Sequence, residues 1–230
     1  MNTAASSHVS KVRLLDAALR VIRSKGYAAT RIEDICDAAA LTKGSFFHHF
    51  RGKEELALAA AGHFGGMADG VFSTAPYQAH ADPLDRLLGY IDFRIAILQG
   101  ELPDYTCLLG TLVQEVYDPH PAIREACDTQ LRAHCTMLAK DIAQARRLYA
   151  PRAPWSADSL ALHIQAVIQG AFILAKARQG PQVTADSLKH LRRYLETQFI
   201  RSSTLETPPW PAARKRSPPS SGSTTRPKRR

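Results

Sequence analysis

Lys43-Gly44-Ser45-Phe46-Phe47-His48-His49-Phe50 sets a cation, a hydroxyl and two imidazoles among three phenylalanines. Residues of these types can ligate a metal, fill a core, or hydrogen-bond an anionic surface. On a helix turning about 100° per residue, Phe46 and Phe50 fall together, while Gly44, Ser45 and His48 lie on the opposite face. Adjacent His48 and His49 point about 100° apart, whereas one ion is held best by ligands at i and i+4. No cysteine or third histidine stands near them in the sequence, so no metal and no cofactor is expected. A core role accounts for Phe46 and Phe50 but leaves Lys43, Gly44, Ser45 and His48 without a purpose. A helix with one face on protein and a donor-rich face outward suits an anionic partner, and duplex DNA is the obvious one.

The elements that must hold this helix can be read on either side of it. From Ser10, Val12, Leu15, Leu19 and Ile22 form a helical stripe that ends at Gly26, a residue suited to a left-handed helix terminus. Thr30-x-x-Glu33 reads as a capping box opening a helix that buries Ile32, Ile35, Cys36 and Ala39 and ends near Ala40. Thr42 is a second candidate N-cap, and Lys43 to about Arg51 forms the next helix. Two short helices joined by about three residues make a helix-turn-helix, whose second helix offers its N-terminal part to the major groove. There Gly44 permits close backbone approach, and Lys43, Ser45 and His48 supply donors. Lys53-Glu54-Glu55 starts a fourth helix, its acids near the positive helix end.

Beyond Pro76 the pattern is again helical: from Asp82-Pro83, from about Tyr105 to Tyr117, through "DPHPAIREAC" to about Tyr149, from Ser156 to about Gln179, and from Thr184 onward. The expected fold is all-α with about nine helices. The 230-residue chain carries a net charge of +9, unevenly placed. Residues 1–53 hold nine Lys/Arg against four Asp/Glu, residues 54–200 thirteen against sixteen, and residues 201–230 eight against one. A basic head on a mildly acidic body points to nucleic acid at one end. The expected division is a DNA-binding head at 1–53, a ligand-binding and dimerisation domain at 54–202, and a disordered basic tail at 203–230. No uninterrupted apolar run of 18 or more residues, no secretory signal and four irregularly spaced cysteines suggest a cytoplasmic protein with reduced thiols.

The stretch "GYAATRIEDICDAAALTKGSFFHHFRGKEEL", Gly26 to Leu56, resembles the N-terminal domain of the tetracycline-repressor (TetR) family of transcriptional regulators. The resemblance implies a helical regulator, not an enzyme. It would bind a palindromic operator as a homodimer, most often as a repressor, and release it on an effector signal. It also implies a DNA-facing set of Thr30, Arg31, Thr42, Lys43, Gly44, Ser45, Phe47, His48, His49 and Lys53, with Thr30 and Lys53 at phosphate-touching positions. The chain departs from the family at Phe47, where a tyrosine hydroxyl usually bonds a phosphate.

For the body, the resemblance implies a ligand cavity, with Phe64, Phe72, Tyr90, Phe93, Tyr105, Leu109, Tyr117, His134 and Met137 as candidate walls. "YTCLLGTLVQEVYDPHPAIREAC" further resembles a subgroup with an electrophile- or redox-responsive cysteine, which makes Cys107 a candidate sensor beside its plainer role as a core thiol. Apolar positions on the last two helices, Ile168, Ala171, Leu174, Leu188, Leu191 and Leu195, are the expected dimer surface. The competing reading is a helical small-molecule carrier or enzyme without specific DNA binding.

Overall fold

The computed structural model describes residues 3–200, with side chains from residue 7 onward. The expected basic tail lies outside these residues. The chain forms α1 (Thr3–Lys25), α2 (Ile32–Ala39), α3 (Lys43–His49) and α4 (Lys53–Ser73), followed by a 3-10 turn at Pro76–Ala79. Then come α5 (Pro83–Ala96), α6 (Leu102–Tyr105), α7 (Leu108–Val116), α8 (Pro121–Tyr149), α9 (Ala157–Arg178) and α10 (Gln182–Gln198). The described residues contain ten helices and no strand. The expected helix from Tyr105 to Tyr117 is two elements, because Thr106 and Cys107 are extended and separate the single turn α6 from α7.

Local chemistry explains most boundaries. Gly26 ends α1 with φ +85°, a conformation that costs a residue with a Cβ. Asp82 caps α5, its Oδ1 accepting from the amides of Leu84 and Asp85, and Ser156 caps α9 by accepting from Ser159 N. The expected capping box on α2 is displaced by one residue. Arg31 is the N-cap, and its amide donates to Asp34 Oδ2 at 2.7 Å. Thr30 is instead buried, its hydroxyl donating to Gly26 O at 2.5 Å, and Glu33 pairs with Lys43.

Two apolar cores are built along this frame. One gathers Phe72, Tyr90, Ile91, Leu138, Ile142, Ile164, Ile168, Leu188, Leu191 and Leu195 from α4, α5, α8, α9 and α10. The other joins Leu14, Ile22, Ile35 and Phe46 of the first three helices to Leu56 and Ala60 of α4, and also to Leu108, Leu112, Ile123 and Cys127 of α7 and α8. The core of the head thus extends past residue 53 and into helices more than 50 residues downstream. Helix α9 is long and apolar enough to cross a membrane by length and composition, and its buried side packs on α8 and α10.

Candidate functional site

Helix α3 has the two faces that its sequence requires. Phe46 and Phe50 are almost wholly buried against α1 and α2, which fixes the helix orientation. Thr42 Oγ1 caps the N-terminus by accepting from Ser45 N at 3.2 Å. Thr42, Lys43, Gly44, Phe47 and His48 are exposed, Ser45 is half-buried, and Phe47 stands 56% exposed with its ring edge-on to Phe46. Lys43 reaches across to Glu33 of α2, and this bond holds the Glu33 carboxyl below its usual range. Arg31 is exposed at the start of α2.

Three members of the expected DNA-facing set are engaged inside the protein. His49 is half-buried with Nε2 2.7 Å from Ser10 Oγ on α1, and burial, aided by His48 and Lys11, lowers its pKa and favours the neutral ring. Thr30 is buried as described above. Lys53 Nζ donates to the carbonyls of Tyr27 at 2.9 Å and Thr30 at 3.0 Å and lies over the Tyr27 ring, 4.3 Å from its centroid. These groups shape the head around the reading helix instead of lying open on its surface.

The α1–α2 turn is also held from the body. Glu115 of α7 accepts from the amides of Tyr27 at 3.0 Å and Ala28 at 2.8 Å. A Cβ on Gly26 would lie 2.2 Å from Glu115 Oε1, so this glycine provides both the turn and the room for the carboxylate. Arg13 of α1 donates to Ala39 O at 2.5 Å, closing over the end of α2, where Ala40 takes a left-handed φ of 49°. Body helix α7, the turn and the helix-turn-helix are therefore linked by direct hydrogen bonds.

Between α4, α5, α7, α8 and α9 lies a cavity of about 70 Å³. Of the candidate wall residues, Phe64, Phe72, Tyr105, Leu109 and His134 line it, together with Cys107. Tyr90 is fully buried behind the wall, within 2.9 Å of both His134 Nε2 and Arg94 Nε. Arg94 Nε donates to Tyr90 Oη, and the phenol shares a second hydrogen bond with His134 Nε2. Burial, with Arg94 nearby, drives the His134 pKa down to about 3 and keeps this ring neutral. Phe93 and Met137 pack against the surrounding core instead of lining the cavity. Tyr117 is 61% exposed at the C-terminal end of α7, because the buried side of that helix runs through Leu108, Leu109, Leu112 and Val116. Sequence reasoning missed Arg94 and Gln165, both on the wall. Their signal was a second polar residue in a mostly apolar helical run, "YIDFRIAIL" and "LHIQAVI", beside the exposed Asp92 and His163.

The expected dimer residues need correction. Ile168, Ala171, Leu188, Leu191 and Leu195 are each 3% exposed or less and belong to the chain's own core; Leu174 alone of the six is exposed. The most apolar stripe of each helix turns inward, since that burial contributes most to folding. What α9 leaves outside is a second stripe of Leu162, Ala166, Gly170, Ile173, Leu174 and Ala177, flanked by Tyr194 of α10.

An exposed, capped reading helix on a buried aromatic base, fixed to a larger helical body, defines a helix-turn-helix DNA-binding regulator. Comparison with known proteins narrows this class. A family model for bacterial regulatory proteins, tetR family, matches residues 14–60, and one for the tetracyclin repressor-like C-terminal domain matches residues 83–191. Together they span more than half of the chain, which belongs to the TetR family of transcriptional regulators. The HTH-type transcriptional repressor DhaR of Mycobacterium sp. (strain GP1) is 26% identical over 167 residues, 73% of this chain and 82% of that protein. The HTH-type regulator YerO of Bacillus subtilis is 38% identical over 58 residues, a quarter of this chain and a fifth of that one. A regulatory protein TetR from Rhodobacter sphaeroides superposes with a TM-score of 0.72 at 26% identity, covering 84% of this chain and 99% of the other. Regulators of this family bind DNA and act as homodimers with small-molecule effectors.

Proposed function

We propose that this chain is a cytoplasmic repressor that holds a palindromic operator as a dimer and releases it when a small molecule fills the body cavity. The observation that carries the reading is Glu115. It sits on the helix whose first turn borders the cavity, and it grips the turn from which α2 and α3 hang. A ligand that shifts α7 would pull on that turn and change the spacing of the two reading helices. Lys43, Gly44, Ser45 and His48 read the groove, with Thr42, Arg31 and Phe47 along the phosphate edge. The residues 54–202 act as the ligand-binding and dimerisation part, and the exposed α9 stripe with Tyr194 forms the two-fold contact. The basic tail adds sequence-independent affinity.

The test is anisotropy at fixed salt with DNA from upstream of the protein's own gene and an unrelated duplex as control. Preference for the upstream DNA that is lost in Lys43→Ala/His48→Ala supports the reading; equal binding to both duplexes, or preference surviving the double variant, refutes it. A second signal has its own observation. Cys107 borders both the 70 Å³ cavity and a neighbouring one of about 190 Å³ that Lys176 lines. Asp104, the nearby carboxylate, is engaged by Arg20 at 2.9 Å. Oxidation or alkylation of this thiol would act on the same helix, and Cys107→Ser would abolish that response while leaving ligand release intact.

A further inference from the structure

Phe64, Phe72, Tyr105, His134 and Phe172 contribute rings to the mixed wall of the 70 Å³ cavity, and two polar groups on that wall are incompletely matched. Arg94 is a half-buried cation whose Nε donates to Tyr90 Oη at 2.9 Å, while its guanidinium carbon lies 4.5 Å from the centre of the Phe72 ring. No carboxylate among the described residues lies within ion-pair distance of it. Asp69, which also lines the cavity, is exposed and is not paired with Arg94. On the wall contributed by α9, Gln165 is 6% exposed, and its Oε1 is buried without any hydrogen-bond donor. A buried acceptor left without a donor is a penalty that a ligand O–H would relieve, and Arg94, though bonded to Tyr90 and stacked on Phe72, has no anionic partner. His134 supplies no competing charge, since its ring stays neutral.

Resting on the proposal that this cavity is the effector site, we propose that its ligand is a short hydroxycarboxylate: an anion for Arg94 with an O–H donor for Gln165. The size follows from the volume. An apolar cavity of about 150 Å³ holds benzene, which has six non-hydrogen atoms, so 70 Å³ takes about three at rest; only a short acid such as glycolate or lactate can enter, and it pushes the wall outward, in keeping with a ligand that shifts α7. The guanidinium fork pairs with the carboxylate, the ligand hydroxyl donates to Gln165 Oε1, and the short carbon chain lies against Phe72 and Phe172. An amide of the same size lacks the charge, and a simple alkanoate lacks the donor.

Calorimetric titration of the full-length protein without DNA tests this with glycolate, lactate, propanoate and lactamide. Lactate or glycolate is expected to bind at least tenfold more tightly than lactamide and about fivefold more tightly than propanoate. Arg94→Met should erase the preference for acid over amide, and Gln165→Leu the preference for hydroxy acid over alkanoate, each leaving the other preference in place. Equal binding of acid and amide, preferences that persist in the two variants, or no binding of any acid up to tens of millimolar would overturn the inference. The same ligands added to the DNA-bound protein separate the two claims. Binding with the stated preferences but without DNA release supports the ligand class and refutes its role as the releasing signal. Operator binding without any acid binding leaves the regulator standing and removes this ligand.

Discussion

Replacing Glu115 with alanine removes two hydrogen bonds that join the body to the head. The carboxylate accepts from Tyr27 N at 3.0 Å and from Ala28 N at 2.8 Å. A hydrogen bond to a charged group contributes about 1.5–3 kcal/mol when sheltered. Glu115 is exposed, so water and screening reduce that value, and the Ala28 amide can turn to solvent once released. The Tyr27 amide is partly buried beside a buried ring and is left less well matched. The expected loss is about 2 kcal/mol, or roughly 4–8 °C in Tm for a domain of this size. Glu115→Gln keeps one acceptor oxygen without charge and should fall between wild type and alanine. Urea and thermal melts of the three proteins, with operator affinity measured alongside, provide the assay. A change below about 0.5 kcal/mol for Glu115→Ala would refute the claim that this carboxylate supports the turn. A glutamine variant no better than alanine would refute the claim that its acceptor atoms do so.

Other consequences can be tested independently. Phe47→Tyr offers a phenol where an exposed ring now stands, and should raise affinity two- to tenfold on operator and unrelated DNA alike, as read by anisotropy. His134 is held neutral with a pKa near 3, whereas the unfolded chain takes up this proton near the ordinary imidazole value, so the unfolded state binds more protons between about pH 3 and 6.5. Stability contributed by this group is therefore full above that range and falls by about 1.4 kcal/mol per pH unit as the pH drops through it. Denaturant titrations should show wild type losing about 2 kcal/mol more than His134→Gln between pH 7 and 5. Ile173→Glu, on the exposed α9 stripe, should yield folded monomer in sedimentation velocity, whereas Leu191→Ala, in the core, should cost about 2–5 kcal/mol of fold stability.

Local rules made much of this molecule readable in advance. Phe46 and Phe50 set the buried side of α3 by spacing alone, and Gly26, Thr42, Asp82 and Ser156 mark helix ends through chemistry confined to three or four residues. Long-range bonds were hidden. Nothing near Lys53 in the sequence says that its ammonium closes over Tyr27 and Thr30 more than 20 residues earlier, and nothing near Glu115 points to an amide 88 residues away. The capping of α2 was misread by one residue because Thr30-x-x-Glu33 and Arg31-x-x-Asp34 overlap, and the tight bond from Thr30 to Gly26 O decides between them. The dimer surface was misassigned for a different reason. Periodicity identifies the most apolar face of a helix but not whether a neighbour in the same chain already covers it.

The core that Leu14, Ile35 and Phe46 share with Leu112 and Ile123 has a bearing on how such a protein can change. A new operator preference can arise by altering the exposed residues of α3, because these make few demands on the rest of the fold. Transplanting the whole head onto another body is harder. A cut at residue 53 would expose the apolar sides of Leu56, Ala57 and Ala60 and strip the first helices of their support from α7 and α8. A working graft must carry α4 through Ala61 and must meet, on the recipient, a surface shaped like that of Leu108, Leu112 and Glu115.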